Sequence, residues 1–360
     1  MALGLFLVIA GIGQSAYGFD MVGGNLHRTG VYEGSAPTDS GDVKWTFDSG
    51  SAISSSPAVS DGVAFAVNFD GELHAVDIET GNQVWSYASG AISNSSLSVA
   101  HGTAYFGNHD GEVHAVNVVG GESVWRFSTE GTVSMSPAVA DGKVFVGSYD
   151  GHLYAIDQET GDQVWAFETG DEVASSPAVA DGTVYAGSRD GYLYAVDQDT
   201  GELAWRFETA DEVNSAPVIS GETVYFAAEA NRLNRIYAVD VDSGESRWYF
   251  DLDRKAVSAP AVAAGTVVVG SNDRNLYAID ADTGDEKWRF DTGAWVVTSP
   301  AITDGMLYFG SRDHNFYALD LATGREAWRF EAGDRIQSTA TISDGTVYFG
   351  GVDGILYALE

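Results

Sequence analysis

The sequence predicts an all-β protein, an eight-bladed β-propeller of four-stranded antiparallel blades, and three observations carry this prediction. Tryptophan recurs with a period of 40 residues, widened once to 43, which marks a repeat architecture. Each repeat holds four short apolar runs bounded by Asp-Gly or Thr-Gly pairs, which are typical of strands joined by tight turns. The two ends of the chain carry complementary parts of one repeat. The eight repeat tryptophans are Trp45, Trp85, Trp125, Trp165, Trp205, Trp248, Trp288 and Trp328.

The ends of the chain predict how the ring closes. The last repeat, STATISDGTVYFGGVDGILYALE, ends at Glu360 with three strands and lacks a tryptophan strand. The stretch DVKWTFDSG at 42–50 is a tryptophan strand with no blade before it. Joining the two completes an eighth blade and removes the exposed sheet edge of an open ring. We therefore predict a propeller over 42–360, preceded by a lead-in segment at 19–41 and a distinct segment at 1–18.

The stretch AVDQDTGELAW shows why tryptophan recurs in every repeat. Ala195 is small enough for close strand packing, Asp197 can accept N–H groups of the turn, and Gly201 can take a positive φ. Trp205 offers a large flat side chain that can fill the wedge between neighbouring blades. The same frame recurs along the chain, with Asn117 in place of the aspartate in the second repeat. We therefore predict a structural role, docking one blade on the next, for all eight repeat tryptophans.

The frame A-x-D-x-x-T-G-x-x-x-W resembles the tryptophan-docking motif of the quinoprotein (PQQ-repeat) β-propellers, and MVGGNLHRTGVY at 21–32 resembles their lead-in sequence. The resemblance covers 19–360 and is closer to the outer-membrane assembly scaffold propellers than to the PQQ dehydrogenases. It implies a non-catalytic binding or scaffold propeller, exported or on the cell surface, that presents loops at the ring mouth to a protein or glycan partner. The alternative that it implies is a PQQ- and calcium-dependent dehydrogenase.

The residues give the dehydrogenase alternative little support. The resemblance implies that such enzymes carry long insertions, which supply a Ca²⁺ site of Glu, Asn and Asp, a catalytic Asp and often a vicinal disulfide. This chain has no insertion longer than three residues within its repeats and no cysteine. It also has no non-repeated acidic cluster, P-loop or H-E-x-x-H motif. We predict no catalytic residues, no metal site and no cofactor, with PQQ and calcium as the open alternative.

The chain is strongly acidic, with 52 Asp and Glu against 18 Lys and Arg, and a net charge of −34. The acidic residues recur in every repeat, which favours adaptation to high salt, as in a halophile, over a localised site for basic partners. Molar salt screens such self-repulsion, because the Debye length falls to about 3 Å at 1 M. The same charge opposes contact with a phosphate backbone, so we predict no nucleic-acid partner.

The first 18 residues differ from the repeats. Their apolar run from Ala2 to Ile12 is too short to cross a bilayer but fits the core of an export signal. Ala16 and Gly18 supply the small residues of a cleavage site, although the basic start of such signals is missing. The sequence therefore predicts an exported, extracytoplasmic protein, with a plain N-terminal strand as the alternative. No later stretch is apolar and long enough to be transmembrane.

The repeats differ most in the loops at one end of the predicted ring. In the loops that lead into the inner strands, one equivalent position holds a neutral or acidic residue in repeats one to five. In repeats six to eight the same position holds Lys, Trp or Arg. The loops between second and third strands add further basic side chains on the same face. The candidate binding residues are Lys255, Arg274, Trp295, Arg312, His314 and Arg335.

This basic cluster around an aromatic residue predicts a site at the ring mouth. Arginine binds carboxylate or phosphate groups bidentately, and tryptophan offers a face for stacking. The expected ligand is an anionic or aromatic molecule, or an acidic segment of a protein. One alternative is that the arginines, with Arg189, Arg232 and Arg235, pair with nearby acidic residues and keep the mouth neutral. Another is that Trp295 and Tyr149 bind a polysaccharide. The sequence leaves the oligomeric state open.

Overall fold

The described residues of the chain form an all-β structure. The computed structural model describes residues 20–21, 24–209, 211–228, 234–256 and 258–360. Within these ranges there are 33 strands and no helix, so the predicted fold class is confirmed. The same ranges accordingly hold no helix long and apolar enough to cross a membrane. The predicted export segment at 1–18 lies outside the described residues.

Blades 1 to 4 each contain four antiparallel repeat strands, ordered along the chain from the ring axis outwards. Blade 1 comprises β3 (Ala58–Ser60), β4 (Val63–Val67), β5 (Glu72–Asp77) and β6 (Gln83–Ala88). Blade 2 comprises β7 (Ser98–Ala100), β8 (Thr103–Gly107), β9 (Glu112–Asn117) and β10 (Ser123–Ser128). Blade 3 comprises β11 (Ala138–Ala140), β12 (Lys143–Gly147), β13 (His152–Asp157) and β14 (Gln163–Glu168). Blade 4 comprises β15 (Ala178–Ala180), β16 (Thr183–Gly187), β17 (Tyr192–Asp197) and β18 (Leu203–Glu208).

Blades 5 to 7 follow the same order, and the eighth blade begins with the last three strands of the chain. Blade 5 comprises β19 (Val218–Ser220), β20 (Thr223–Ala228), β21 (Asn234–Asp240) and β22 (Ser246–Leu252). Blade 6 comprises β23 (Ala261–Ala263), β24 (Thr266–Gly270), β25 (Asn275–Asp280) and β26 (Glu286–Asp291). Blade 7 comprises β27 (Ala301–Thr303), β28 (Met306–Gly310), β29 (Asn315–Asp320) and β30 (Glu326–Glu331). Blade 8 contains β31 (Thr341–Ser343), β32 (Thr346–Gly350) and β33 (Ile355–Leu359).

An N-terminal strand completes the eighth blade, as the sequence predicts. Strand β2 (Val43–Asp48) pairs antiparallel with β33 as the outermost strand of blade 8. A second N-terminal strand, β1 (Asp20–Met21), pairs with β7 on the inner side of blade 2, which the sequence does not predict. The ring is therefore closed by the start of the chain, and no blade is left with a missing strand.

The tryptophans lie between blades, and their hydrogen bonds follow the repeat. The Trp165 indole N–H donates to the Gln198 carbonyl of the next blade at 3.0 Å. A Cβ atom added to Gly201 would lie 2.8 Å from that indole ring, so only glycine fits beneath it. Trp328 has no complete turn of a following repeat to contact, and its indole N–H donates instead to Pro37 of the lead-in segment at 3.0 Å. The lead-in segment thus replaces the turn that the truncated last repeat lacks.

Candidate functional site

A repeated Ser-Ser-Pro stretch positions the residues at the mouth of the ring. The first hydroxyl of this stretch ties the leading loop to the second strand of its own blade; for example, the Gly187 N–H donates to Ser175 Oγ at 2.6 Å. The second hydroxyl ties neighbouring blades together, because the Ser136 N–H donates to Ser176 Oγ at 3.0 Å. The same inter-blade bond recurs at Ser56–Ser96, Ala259–Ser299, Ser299–Thr339 and Thr339–Ser56. These bonds hold the leading segments in a ring around the axis.

A cavity of about 260 Å³ lies on the axis, where the leading segments of all eight blades meet. Blades 1 to 4 line it mainly with hydroxyl and amide side chains, and blades 5 to 7 contribute several apolar side chains. Arg28 also lines the cavity and is the only charged residue in its wall within the described part of the chain. We refer to this space as the axial cavity.

The lead-in segment crosses the ring and closes one end of the axial cavity. Its carbonyls accept hydrogen bonds from inner strands of four successive blades: Val179 to Leu26, Ile219 to His27, Val262 to Thr29 and Ile302 to Gly30. Arg28 and Gly30 therefore face the cavity from the side opposite the mouth loops. The segment is both a strap across half the ring and the floor of the cavity.

Arg28 anchors this floor. Its Nε donates to the Pro177 carbonyl at 2.7 Å, and its Nη2 donates to the carbonyls of Ser136 and Pro137 at 3.1 and 3.2 Å. The side chain is almost completely buried, with the residue 3% exposed. Burial away from water disfavours the charged form and lowers the pKa of Arg28 to about 10, so the guanidinium stays protonated at neutral pH. Arg28 thus places a positive charge at the floor.

Trp295 and Arg312 lie together at the mouth of blade 7. The Arg312 guanidinium lies over the Trp295 ring, 4.9 Å from its centroid, and the Arg312 backbone N–H donates to the Trp295 carbonyl at 2.9 Å. Arg312 Nη2 donates to Gln337 Oε1 at 3.3 Å, and Gln337 also lines the axial cavity. Trp295 remains 43% exposed. We call Trp295, Arg312 and Arg335 the mouth cluster.

The mouth cluster is positively charged, and no carboxylate among the described residues pairs with Arg312. Among the described residues no Asp or Glu lies within ion-pair distance of Arg312, and its Nε is buried without a hydrogen-bond partner. Burial, together with the charge of Arg335, lowers the pKa of Arg312. Arg335 has a weak partner, since its Nε is 3.5 Å from Asp334 Oδ1. His314 lies on the other side of Asp334, at 3.8 Å.

The remaining candidates, Lys255 and Arg274, lie on the same face. Lys255 lies in the leading loop of blade 6, where its carbonyl accepts the Asn272 N–H at 2.9 Å. Arg274 lies in the turn between β24 and β25 and is exposed. Arg274 and His314 have φ values of 80° and 75°, at a turn position that is glycine in blades 1 to 4 and 8. Basic side chains thus occupy a backbone conformation that favours glycine.

The arginines outside blades 6 to 8 follow the neutralising alternative. Arg189 lies in the mouth of blade 4, forms an ion pair with Glu172 and lies 3.9 Å from Glu212. Its guanidinium stacks on Tyr149 at 5.0 Å, so Tyr149 belongs to that group and not to the mouth cluster. Arg235 pairs with Asp251 at 2.7 Å. Arg232 lies outside the described residues.

Sequence reasoning missed the axial cavity and Arg28. The only signal for Arg28 was a basic residue in the lead-in stretch HRTG, and nothing in the repeat pattern places that residue on the ring axis. The described residues also contain no group of three or more His, Cys, Asp or Glu side chains that could hold a metal ion.

Comparison with known proteins places the chain in a family. The sequence profile of the family described as outer membrane protein assembly factor BamB matches residues 35–126, 109–234 and 232–360. No curated protein matches the sequence. BamB from Moraxella catarrhalis has a similar structure, with a TM-score of 0.77 at 17% identity over 89% of this chain and 99% of that chain.

Two further solved structures share the fold. The computationally designed Ika8 protein has a TM-score of 0.77 at 19% identity over 86% of this chain and 96% of its own. Quinohemoprotein alcohol dehydrogenase from Comamonas testosteroni has a TM-score of 0.80 at 15% identity over 94% of this chain and 80% of its own. At these identities the likeness shows the fold alone. Because the family profile matches from residue 35 to the last residue, the chain belongs to the PQQ-repeat propeller family described as outer membrane protein assembly factor BamB.

Proposed function

We propose that the protein is a non-catalytic binding or scaffold propeller, located outside the cytoplasm, that holds an acidic segment of a protein partner at its mouth cluster. The observation that carries this proposal is Arg312, a cation stacked on the half-exposed Trp295 with no carboxylate within ion-pair distance among the described residues. Membership of the BamB family supports a scaffold role. The apolar start of the sequence supports an extracytoplasmic location.

The chemistry of the mouth cluster favours an acidic partner with an apolar or aromatic residue nearby. A carboxylate can accept bidentate hydrogen bonds from a guanidinium, and these bonds are stronger than neutral ones. Trp295 can bury an adjacent side chain against its exposed face, and Trp and Arg are the residue types most often found at interface hot spots. The surrounding acidic surface repels acidic chains elsewhere, so the mouth cluster is where such a segment is accepted.

The test is capture of proteins from an extracytoplasmic fraction by the wild-type chain and by the double variant Trp295→Ala, Arg335→Ala. We expect the wild type to retain a partner, identified by mass spectrometry and then purified for direct titration, and the double variant to lose it. A matched variant, Arg189→Gln, should keep it, because Arg189 already pairs with Glu172. Retention of every partner by the double variant would contradict the proposal.

The dehydrogenase alternative is tested separately, by titration with PQQ and Ca²⁺ while following tryptophan fluorescence and dye-linked oxidation of alcohols. Turnover would establish the enzyme and overturn the non-catalytic proposal. We expect no turnover, because the repeats carry no insertion longer than three residues and the chain has no cysteine. Fractionation of the source cells tests the location, and recovery of the protein with cytoplasmic markers would contradict export.

A further inference from the structure

We propose that the axial cavity is a binding site for a hydroxylated carboxylate, the chemistry of a uronic acid. This inference goes beyond the proposed function, because it concerns a small ligand inside the ring and rests on residues outside the mouth cluster. Three observations carry it: the charge of the cavity wall, an unpartnered hydroxyl inside it, and the division of the wall into a polar and an apolar side.

The charge of the cavity wall is opposite to that of the protein. The chain has 52 acidic residues, yet no Asp or Glu is among the described residues that line the axial cavity. Among the described residues of the wall, the one charged group is the Arg28 guanidinium, which stays protonated at neutral pH. A charge acts over a longer range in a poorly solvated interior than in water. The axial cavity therefore favours an anion, although the surface of the protein repels one.

Ser134 supplies a hydrogen-bonding group that the empty protein does not use. Its Oγ is buried and has no hydrogen-bond partner, although the residue lines the axial cavity and is only 9% exposed. A buried hydroxyl without a partner costs free energy, typically about 1–3 kcal/mol. Because the residue lines the cavity, rotation of its short side chain about χ1 would turn the hydroxyl into the cavity, where a ligand hydroxyl or carboxylate would satisfy it. Ser134 thus indicates an occupant with polar groups on the side of blade 3.

The wall of the axial cavity has two chemically different sides. Blades 1 to 3 contribute hydroxyl and amide groups, including Ser54, Asn94 and Ser134, although Met135 interrupts them. Blades 5 to 7 contribute the apolar side chains Ala216, Pro260 and Val297, although Asn214 and Ser299 interrupt them. A sugar ring has hydroxyl groups around its edge and apolar C–H groups on its faces. A single sugar-sized molecule carrying a carboxylate therefore matches the polar side, the apolar side and the Arg28 charge together.

The carboxylate could belong to a free sugar acid or to the end of an acidic polysaccharide, and binding experiments distinguish these sources. The probes are glucuronate, glucose as the neutral match, and a galacturonate oligomer, each titrated calorimetrically into the full chain. We expect glucuronate to bind at least tenfold more tightly than glucose. Tighter binding of the oligomer than of the monomer would point to a polysaccharide end, and weaker binding to a free sugar acid.

Two serine variants separate a ligand role from a structural one. Ser134→Ala removes a hydroxyl that makes no bond in the protein, so it should leave the melting temperature unchanged or higher while weakening glucuronate binding about 3- to 10-fold. Ser176→Ala removes the acceptor of the Ser136 N–H and should lower the melting temperature. Arg28→Gln should abolish the preference for glucuronate over glucose. If Arg28→Gln fails to fold, the Ser134 result and the glucose comparison still decide the question.

Several results would overturn the proposal: no saturable binding of glucuronate or the oligomer, equal binding of glucose and glucuronate, or unchanged affinity in Ser134→Ala. The outcome is independent of the proposed function. Trp295→Ala should leave glucuronate binding intact, and Ser134→Ala should leave capture of a protein partner intact. Loss of both activities in either single variant would contradict the assignment of two separate sites.

Discussion

Arg189 in blade 4 and Arg312 in blade 7 occupy the same repeat position, and their surroundings differ most in charge. Each backbone N–H donates at 2.9 Å to the residue in the leading loop of its own blade. Each guanidinium stacks on an aromatic ring, at 5.0 Å for Arg189 and 4.9 Å for Arg312. Each donates to an amide side chain of the next blade, Asn214 at 3.4 Å or Gln337 at 3.3 Å.

The difference lies in the charges around these two arginines. Arg189 lies between Glu172 and Glu212, whereas the equivalent positions around Arg312 are Trp295 and Arg335. The same repeat position therefore holds an arginine that the protein neutralises in blade 4 and an arginine that stays positively charged in blade 7. The backbone of a blade thus sets where the arginine is attached, while two loop positions decide whether its charge is available to an anion.

The largest expected effect comes from converting the mouth of blade 7 into that of blade 4. The double variant Trp295→Glu, Arg335→Glu places carboxylates at the positions that neutralise Arg189, so Arg312 should become paired and unavailable. We expect affinity for an acidic partner to fall about 30-fold or more, the size of a lost hot spot. Titration with the purified partner measures this, and unchanged affinity would show that the charge difference has no functional weight.

Blades 2 and 4 also differ in a buried side chain of the third strand, behind the mouth. Tyr194 of blade 4 donates its hydroxyl to Asp190 at 2.7 Å, whereas blade 2 has His114 at this position, fully buried beside Asn108 and Tyr87. Burial lowers the pKa of His114 from 6.5 to about 4. Between these values the unfolded chain binds a proton that the folded chain does not, so stability falls as the pH drops below about 6.5.

The variant His114→Tyr restores the residue of blade 4 and removes this acid sensitivity. We expect the free energy of unfolding of the variant, relative to that of the wild type, to be ~2 kcal/mol higher at pH 5 than at pH 7.5. Each unit of pKa difference corresponds to about 1.4 kcal/mol. Denaturant unfolding at the two pH values measures the change. Apart from Glu112, whose Oε2 lies 3.4 Å from His114 Nε2, the carboxylates titrate in both proteins and cancel in the comparison. An identical pH dependence in the two proteins would show that His114 is not buried in its neutral form.

A third effect concerns the turn that carries the basic side chains. Gly191 of blade 4 and His314 of blade 7 occupy the same turn position, with φ values of 87° and 75°. We expect His314→Gly to stabilise the protein by about 1 kcal/mol, because a side chain in this region is strained. The reciprocal Gly191→His should destabilise by a similar amount, since the added Cβ meets nothing closer than 3.4 Å and only the backbone resists. Equal melting temperatures for both variants and the wild type would contradict this.

The smallest effect distinguishes the two arginines in the absence of any ligand. Arg189→Gln leaves Glu172 and Glu212 without their cation and should lower stability by at most ~1 kcal/mol, because the pair is partly exposed. Arg312→Gln removes a cation that repels Arg335 and should be neutral or slightly stabilising. Thermal unfolding of the two variants measures this. A larger loss in Arg312→Gln than in Arg189→Gln would reverse the comparison.

The fold could be predicted because its signals are local and repeated. The tryptophan spacing recurs in each unit and Asp-Gly turns recur in most units, and the shared eighth blade follows from two incomplete ends. Asp61 and Gly62, both with positive φ, form one of the expected two-residue hairpin turns. The site could be predicted only as a face, because the arginines that meet carboxylates and those that do not are distinguished by side chains 16 to 23 residues away. Arg28 reaches the axis through a non-repeated segment, so no repeat pattern reveals it.

Binding of a defined acidic peptide tests whether Arg312 is available to an anion while Arg189 is not. A labelled peptide of alternating glutamate and phenylalanine, with a glutamine analogue as control, is titrated against the wild type, Arg312→Gln and Arg189→Gln by fluorescence anisotropy. We expect saturable binding of the glutamate peptide and none of the glutamine analogue. This binding should be lost in Arg312→Gln and retained in Arg189→Gln. Equal binding by the two variants, or equal binding of the two peptides, would contradict it.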